Sequence, residues 1–179
     1  MAKETKHNIV LTGFMGSGKS TVGRKVARRL NMEFADVDDL IERHEGMKTT
    51  DIFSAKGEPY FREIESEAVK SISQREKVVI ATGGGAVIRK QNRDYLRSKG
   101  VIIHLRADAD TLLRNTSKDN NRPLLQHEDV KNKRSRIVEM LEQREQYYKD
   151  HDYEIDVSPL SVEQVVEKII DIMAQRRIV

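Results

Sequence analysis

The chain has 179 residues, a length that favours a single domain, and its 32 basic and 29 acidic residues leave a net charge of only +3. This balance argues against a nucleic-acid-binding protein, and the lack of cysteine excludes disulfides, cysteine-based zinc sites and thiol catalysis. No apolar run approaches the length of a membrane span. We therefore expect a cytoplasmic monomer with no nucleic-acid partner and no membrane association.

The first predicted strand and helix enclose the most specific motif of the chain. An apolar strand is predicted at Ile9 to Leu11, and a helix from Lys19 to Leu30. Between them, residues 13–20 read Gly-Phe-Met-Gly-Ser-Gly-Lys-Ser, which matches G-x-x-x-x-G-K-[ST]. A strand, a tight loop and a helix start are the context of the phosphate-binding loop (P-loop).

Each residue type in this loop suits a nucleoside triphosphate. Gly13, Gly16 and Gly18 can adopt positive φ, so that backbone N–H groups surround phosphate oxygens. Lys19 would reach the β- and γ-phosphates, and the Ser20 hydroxyl would ligate Mg²⁺. The motif therefore predicts a nucleotide-binding site.

A pair of aspartates ends the second predicted strand, Glu33 to Val37, before a helix capped by Asp38 or Asp39. Asp36 and Asp38 are two residues apart, so in a strand their side chains would point to opposite faces. One would approach Mg²⁺ beside Ser20, and the other an acceptor hydroxyl. Helix capping with a solvated turn is the alternative interpretation.

An arginine lies near the start of the following long helix. A short helix is predicted from Thr50 to Ala55, Gly57 ends it, and Pro59 suits the first turn of the next. Arg62 then falls early in that helix, where a cation opposes the helix dipole. This misfit suggests an anionic partner, and a helical ion pair with Glu65 is the other explanation.

Three consecutive glycines follow a short apolar strand at residues 78–81, which is typical of a central parallel strand. Gly83, Gly84 and Gly85 would let the backbone approach a ligand closely. A plain turn is the alternative. The next predicted elements are a helix at 90–99, a strand at 101–105 and a helix that Asp108 caps.

The polar segment 117–128 is broken by Pro123 and is predicted to be a loop. Arg122 precedes that proline and would swing over the transferring phosphoryl group, as arginines of mobile lids do. An ordinary exposed arginine is the alternative.

A long helix is predicted from Asp129 to Asp150. Ile137, Leu141 and Tyr148 form one apolar stripe along it, and Arg144 lies within the stripe. An inward-facing arginine needs a partner, and a carboxylate fits its forked geometry. Otherwise the side chain would extend outward to water.

The order of elements indicates the fold class. Five strands alternate with helices, including a last strand at 153–157 and an amphipathic helix after it. This order predicts an α/β protein with a five-stranded parallel sheet between helices, forming three layers. Ligands of such sheets bind beyond the strand carboxyl ends, where the loops above converge.

In this order, the motifs resemble the shikimate kinase family. They are the P-loop at 13–23, Asp36-x-Asp38, Gly57-Glu58-x-x-Phe61-Arg62-x-x-Glu65, Gly83–Gly85, Arg122-Pro123-Leu124-Leu125, and Arg144 followed by Tyr148. The resemblance spans about residues 9–172. It implies a P-loop kinase fold and phosphorylation of the 3-hydroxyl of shikimate by ATP and Mg²⁺.

The resemblance also implies residue roles. ATP would contact Gly16, Ser17, Gly18, Lys19, Ser20, Thr21 and Arg122, and Mg²⁺ would bind Ser20 and Asp36. Asp38 would activate the acceptor hydroxyl, with Lys19 and Arg122 as the other catalytic residues. Shikimate would contact Asp38, Arg62, Gly83, Gly84, Gly85 and Arg144. Within one domain, 1–179, a lid would cover about residues 115–128 and a substrate-binding helical region about 38–65.

One position departs from the family pattern. An arginine that stacks on adenine commonly precedes Thr116, whereas this chain has Asn115 there and Arg114 one residue earlier. Arg114, or the segment 158–160, would then contact the base. Two other functions fit the P-loop alone: a different small-molecule kinase, such as a gluconate or nucleotide kinase, or a nucleotide-binding module without turnover.

Overall fold

The computed structural model describes residues 7–116 and 130–176. The strands of these residues are β1 Asn8–Thr12, β2 Glu33–Asp36, β3 Val78–Ala81, β4 Gly100–Arg106 and β5 Tyr153–Asp156. The helices are α1 Lys19–Arg29, α2 Val37–Glu45, α3 Thr49–Ser73, α4 Lys90–Lys99, α5 Ala109–Thr116, α6 Val130–Tyr148 and α7 Val162–Arg176, with a 3₁₀ turn at Ala86–Ile88.

The described strands form one five-stranded sheet in the order β2-β3-β1-β4-β5, and every neighbouring pair is parallel. Alternate residues of β1 face opposite sides of this sheet. Ile9 and Leu11 pack with α1 and α7, whereas Val10 packs with residues of α2, α3 and α4. Helices therefore cover both faces, and the predicted three-layer α/β fold is confirmed.

A third apolar cluster lies beyond the carboxyl ends of the strands. It joins Phe14 and Met15 of the P-loop to Leu112 of α5 and Ile137 of α6. The chain leads from β1 to β2 at one end of the strand order and from β4 to β5 at the other end. A crevice therefore opens between β1 and β4 at the carboxyl ends of the strands. The fold thus brings the loops after β1, β2, β3 and β4 to one place.

The start of α2 differs from the prediction. The strand β2 ends at Asp36, and Asp36 itself caps α2, because its Oδ1 accepts a hydrogen bond of 3.0 Å from the Asp38 N–H. Asp38 therefore lies in the first turn of a helix. The prediction that Asp38 or Asp39 is the cap, with Asp36 and Asp38 on opposite faces of a strand, was wrong.

The predicted break at Gly57 is confirmed. The segment named α3 consists of two helical stretches, and Gly57 between them has φ 80° and ψ 167°, a conformation that only glycine adopts readily.

In residues 7–116 and 130–176, no helix is both long and apolar enough to cross a membrane.

We predict that Gly100→Ala lowers the free energy of unfolding by about 1–3 kcal/mol. A Cβ atom at this position would lie 2.5 Å from the Leu96 carbonyl oxygen and 2.5 Å from Val10 Cγ2, inside the core. Urea denaturation measures the change. Ser98→Ala, on the exposed side of α4, is the control and should change stability by less than about 0.5 kcal/mol. Equal stability of the two variants would contradict the packing described here.

Candidate active site

The P-loop connects β1 to α1 and holds its lysine inside the turn. Gly16 and Gly18 have φ of 83° and 91°, values that favour glycine, as the motif predicted. Lys19 is buried, and its Nζ donates hydrogen bonds of 2.8 Å to the carbonyl oxygens of both Gly13 and Phe14. The ammonium group is therefore positioned where the backbone N–H groups of the loop and the N-terminus of α1 favour phosphate.

Two oxygen ligands suited to Mg²⁺ lie side by side at the end of β2. Ser20 Oγ donates a hydrogen bond of 2.5 Å to Asp36 Oδ2. Hydroxyl and carboxylate oxygens are hard donors, and Mg²⁺ usually combines one or two carboxylates with waters and substrate phosphates. Accordingly, the described residues include no cluster of three or more His, Cys, Asp or Glu side chains arranged to hold a metal. The Ser20–Asp36 pair fits this mode of binding.

The glycines after β3 are needed for space. A Cβ atom at Gly83 would lie 2.9 Å from Asp38 Oδ1 and 3.0 Å from Glu65 Oε1, and one at Gly85 would lie 2.6 Å from Arg62 Nη2. None of the three glycines has a positive φ. Polar side chains thus pack directly on the backbone of this turn, which favours a close approach over the plain-turn interpretation.

Arg62 contacts two acidic residues and the glycine turn. Its Nη1 donates to Glu65 Oε2 at 2.8 Å, and its Nη2 donates to Glu58 Oε1 at 3.0 Å. The ion pair considered from the sequence is thus present. The guanidinium also borders the cavity that Gly83, Gly84 and Gly85 line, so the ion pair and an anion-binding role are compatible.

Glu65 is a buried acid at the centre of this group. Burial raises the pKa of its carboxyl, and this effect outweighs the opposing charges of Arg62, Arg89 and Arg144. Glu65 Oε1 is buried and has no hydrogen-bond partner among the described residues. The carboxyl group therefore holds one unsatisfied oxygen in the wall of the cavity that Glu65 lines.

Arg144 faces inward on α6, as the sequence stripe predicted. It is only 8% exposed, and its Cζ lies 5.7 Å from the centre of the Phe14 ring. Its Nη1 is buried without a hydrogen-bond partner in the described part of the chain. A buried guanidinium nitrogen in this condition is destabilising until an acceptor binds it. The outward-extending alternative is therefore wrong.

Two cavities meet at these residues. One, of about 360 Å³, is lined by Arg62, Glu65, Arg144 and the glycine turn. The other, of about 540 Å³, is lined by Arg114, by Asn115 and by the P-loop residues Gly16, Gly18, Lys19, Ser20 and Thr21. The residues that border both cavities are Met15, Ser20, Asp36, Asp38 and Gly84. Ser20, Asp36 and Asp38 thus lie at the junction between the cavity beside the P-loop and a smaller one with inward-facing arginines.

Comparison with known proteins agrees with this geometry. A family model described as shikimate kinase matches residues 15–174. The chain is 50% identical over 163 residues to a shikimate kinase of Caldanaerobacter subterraneus subsp. tengcongensis, covering 91% of this chain and 94% of that protein. A shikimate kinase of Geobacter metallireducens is 45% identical over 170 residues, with coverage of 94% and 92%.

The chain belongs to the shikimate kinase family. Its activity is therefore that of an ATP-dependent kinase acting on shikimate. Among solved structures, a shikimate kinase from Acinetobacter baumannii in complex with shikimate superimposes with a TM-score of 0.90 at 36% identity, covering 97% of this chain and 96% of that chain. The family assignment made from the motifs is confirmed.

The side of the larger cavity lined by Arg114 and Asn115 contains the position at which the sequence departs from the shikimate kinase pattern. Asn115 does not extend over the cavity as a long cation would. Its Nδ2 donates a hydrogen bond of 2.8 Å to the Gly16 carbonyl oxygen and so braces the P-loop. Arg114 and the exposed side chain of Val162 line the same cavity. Arg122 and most of the predicted lid lie outside the described residues.

Sequence reasoning missed three ring residues behind the shikimate kinase site. Tyr148 was assigned to helix packing, yet its hydroxyl donates to the Gly84 carbonyl oxygen at 2.7 Å. His104 and His151 lie in no motif of the sequence, yet the His104 ring stacks on Tyr148 and on His151. The only sequence signal was that Tyr148 and Arg144 are one helical turn apart.

We predict that His104 makes stability depend on pH. Burial, followed by the charges of His151, Lys19 and Arg106, lowers its pKa from 6.5 to about 4. The unfolded chain therefore binds a proton that the folded protein excludes, so this contribution to stability is complete above pH 6.5 and is lost progressively as the pH falls towards 4. Between pH 7.5 and pH 5 the loss should amount to about 2 kcal/mol.

Urea denaturation of the wild type and of His104→Phe at both pH values measures this contribution. The variant should lose less stability than the wild type between the two conditions, because phenylalanine does not titrate. Parallel losses in both proteins would show that His104 is not the group responsible.

Proposed function

We propose that the two adjoining cavities bind ATP and shikimate and that phosphoryl transfer takes place at their junction. The observation that carries this proposal is Arg144, which lines the smaller cavity and whose buried Nη1 has no hydrogen-bond partner in the described residues. A single small carboxylate meets that requirement, whereas a nucleotide acceptor would need further contacts to a base and phosphates. The gluconate-kinase and nucleotide-kinase alternatives are not favoured.

On the ATP side, the P-loop holds the triphosphate. In this proposal the backbone from Gly16 to Thr21 binds phosphate oxygens, and Lys19 neutralises the charge that develops between the β- and γ-phosphates. Ser20 and Asp36 hold Mg²⁺, which when bound supplies positive charge at the same oxygens. Catalysis then depends on positioning and electrostatic stabilisation, since phosphoryl transfer requires little covalent chemistry from the protein.

On the acceptor side, Arg62 and Arg144 bind the carboxylate of shikimate, and the turn at Gly83 to Gly85 contacts its ring. Asp38 lies at the junction of the cavities and in the first turn of α2, so it is suited to accept a hydrogen bond from the 3-hydroxyl. That bond would direct the hydroxyl oxygen at the γ-phosphate, and the Asp38 carboxylate would receive the hydroxyl proton during transfer.

We assign the remaining expectations to the same proposal. Arg122 would stabilise the transferring group from a lid at about 115–128, and the helical region at about 38–65 would carry the acceptor contacts. The whole chain would act as one domain, as a monomer in the cytoplasm.

We predict that Arg144→Ala raises the KM for shikimate roughly 10- to 100-fold, because it removes a charge-assisted hydrogen bond from a buried site. The KM for ATP should change little. Coupled detection of ADP, with and without shikimate, measures both constants. Arg136→Ala is the matched control, since Arg136 lies on the same helix but pairs with Glu139 at the surface. An unchanged KM for shikimate in Arg144→Ala would remove Arg144 from the carboxylate site.

We predict that Ser20→Ala raises the Mg²⁺ concentration needed for half-maximal rate on the order of ten-fold, because one oxygen ligand is lost. Ser20→Thr retains the hydroxyl that the motif permits and should resemble the wild type. Titration of the steady-state rate with MgCl₂ at fixed ATP distinguishes the two. If both variants require the same Mg²⁺ concentration as the wild type, Ser20 is not a ligand.

A further inference from the structure

A buried tyrosine connects the last turn of α6 to the glycine turn. Tyr148 is 7% exposed, and its hydroxyl donates a hydrogen bond of 2.7 Å to the Gly84 carbonyl oxygen, 64 residues away in the sequence. Arg144 lies four residues earlier on the same face of α6, and a Cβ atom at Gly84 would lie 3.7 Å from its Nη1. One helix face therefore supplies both the inward arginine and a donor to the turn that the arginine borders.

The hydroxyl of Tyr148 is a permanent donor. Burial raises the pKa of its phenol, and the opposing effects of Arg144 and Arg62 are smaller. The group therefore stays protonated throughout the working pH range of a kinase. Because a peptide unit is planar and trans, a carbonyl of Gly84 that points to Tyr148 turns the N–H of Gly85 in the opposite direction.

Two histidine rings fix the position of the Tyr148 ring. His104 stacks on it with centroids 4.8 Å apart and planes at 28°, and His151 lies next to His104 at 5.7 Å. His104 Nδ1 is 3.3 Å from Thr12 Oγ1, and His151 Nδ1 is 2.7 Å from the Tyr148 carbonyl oxygen. Contacts thus run from Thr12, the residue before the P-loop, to the glycine turn.

The residues that follow the glycines also accept hydrogen bonds from side chains. Asn92 Nδ2 donates to the Ala86 carbonyl oxygen at 2.9 Å, and Arg93 Nη1 donates to that of Val87 at 2.7 Å. These two donors come from α4, and the carbonyl groups that accept from them follow the glycines in the sequence. Backbone N–H groups of Ala86 and Ile88 donate to the carbonyl oxygens of Gly83 and Gly85, whereas Tyr148 donates from a side chain to that of Gly84. Its loss should therefore affect the part of the turn that borders the acceptor cavity.

We propose that Tyr148 is a positioning residue for the shikimate half of the site, and that His104 holds its ring in place. The hydroxyl fixes the peptide between Gly84 and Gly85 and, with it, the surface on which Arg62 and Arg144 face the carboxylate. This inference rests on the proposed role of Arg144 and the glycine turn in binding shikimate.

The first test removes only the hydroxyl. Tyr148→Phe should raise the KM for shikimate roughly five-fold, the effect expected from one neutral hydrogen bond, and leave the KM for ATP within about two-fold. Tyr147→Phe is the matched control and should leave both constants unchanged, because phenylalanine keeps the half-buried ring that faces the Arg93 guanidinium. Calorimetric titration of shikimate without nucleotide should show the same weakening.

The second test asks whether position 104 needs an aromatic ring of any kind or specifically the imidazole of histidine. His104→Ala removes the stacked ring and should raise the KM for shikimate as Tyr148→Phe does, whereas His104→Phe keeps a ring and should restore nearly normal binding. The double variant His104→Ala/Tyr148→Phe should raise the KM for shikimate by less than the product of the two single-variant increases, since both substitutions act on one contact.

The outcomes distinguish this inference from the function on which it rests. An unchanged KM for shikimate in Tyr148→Phe, alongside the large rise expected in Arg144→Ala, would overturn the inference and leave the carboxylate site intact. Equal rises in the KM values for shikimate and ATP would also overturn it, because they would indicate a general structural role. No effect in either Tyr148→Phe or Arg144→Ala would overturn both proposals.

Discussion

The close approach of side chains to the turn at residues 83–85 is the constraint on which the site depends. Asp38 and Glu65 pack against Gly83, the P-loop backbone at Met15 packs against Gly84, and Arg62 packs against Gly85. A side chain on this turn would therefore displace groups that line the two cavities. Because phosphoryl transfer depends on the alignment of donor and acceptor, the close packing at this turn bears directly on the function proposed above.

Burial of charge in the smaller cavity supports the proposal that it binds an anion. Arg62 forms ion pairs with Glu65 and Glu58. Arg144 has a buried nitrogen with no acceptor among the described residues. A carboxylate that enters the cavity therefore meets one guanidinium already held in place and another whose burial is compensated only by binding. Such an arrangement favours a small acid over a neutral sugar of similar size.

The sheet brings these groups together from distant parts of the chain. The P-loop follows β1, the Asp36 cap ends β2, and the glycine turn follows β3, so parallel strands place all three at one edge. Arg62 reaches that edge from α3 and Arg144 from α6. Ser20 and Asp36 are in hydrogen-bonding contact only because β2 and α1 are neighbours in this fold.

The sequence alone predicted most of this protein, because its signals are local. The P-loop motif, the alternation of strands and helices, the break at Gly57 and the inward position of Arg144 all depend on the spacing of residues within one or two elements. The family motifs then identified the kinase. Where the local signal was ambiguous, as at the aspartates after β2, the prediction of strand rather than helix geometry for Asp38 was wrong.

Tertiary structure decided the contacts between elements that are far apart in the sequence. Nothing near residues 83–85 reveals that their lack of side chains serves packing by Asp38, Glu65 and Arg62, and nothing near Tyr148 reveals a bond to Gly84. Periodicity shows which face of a helix is buried, but it does not show which atom lies opposite. That atom is determined by the register of the sheet and the packing of helices on it, which are properties of the folded chain as a whole.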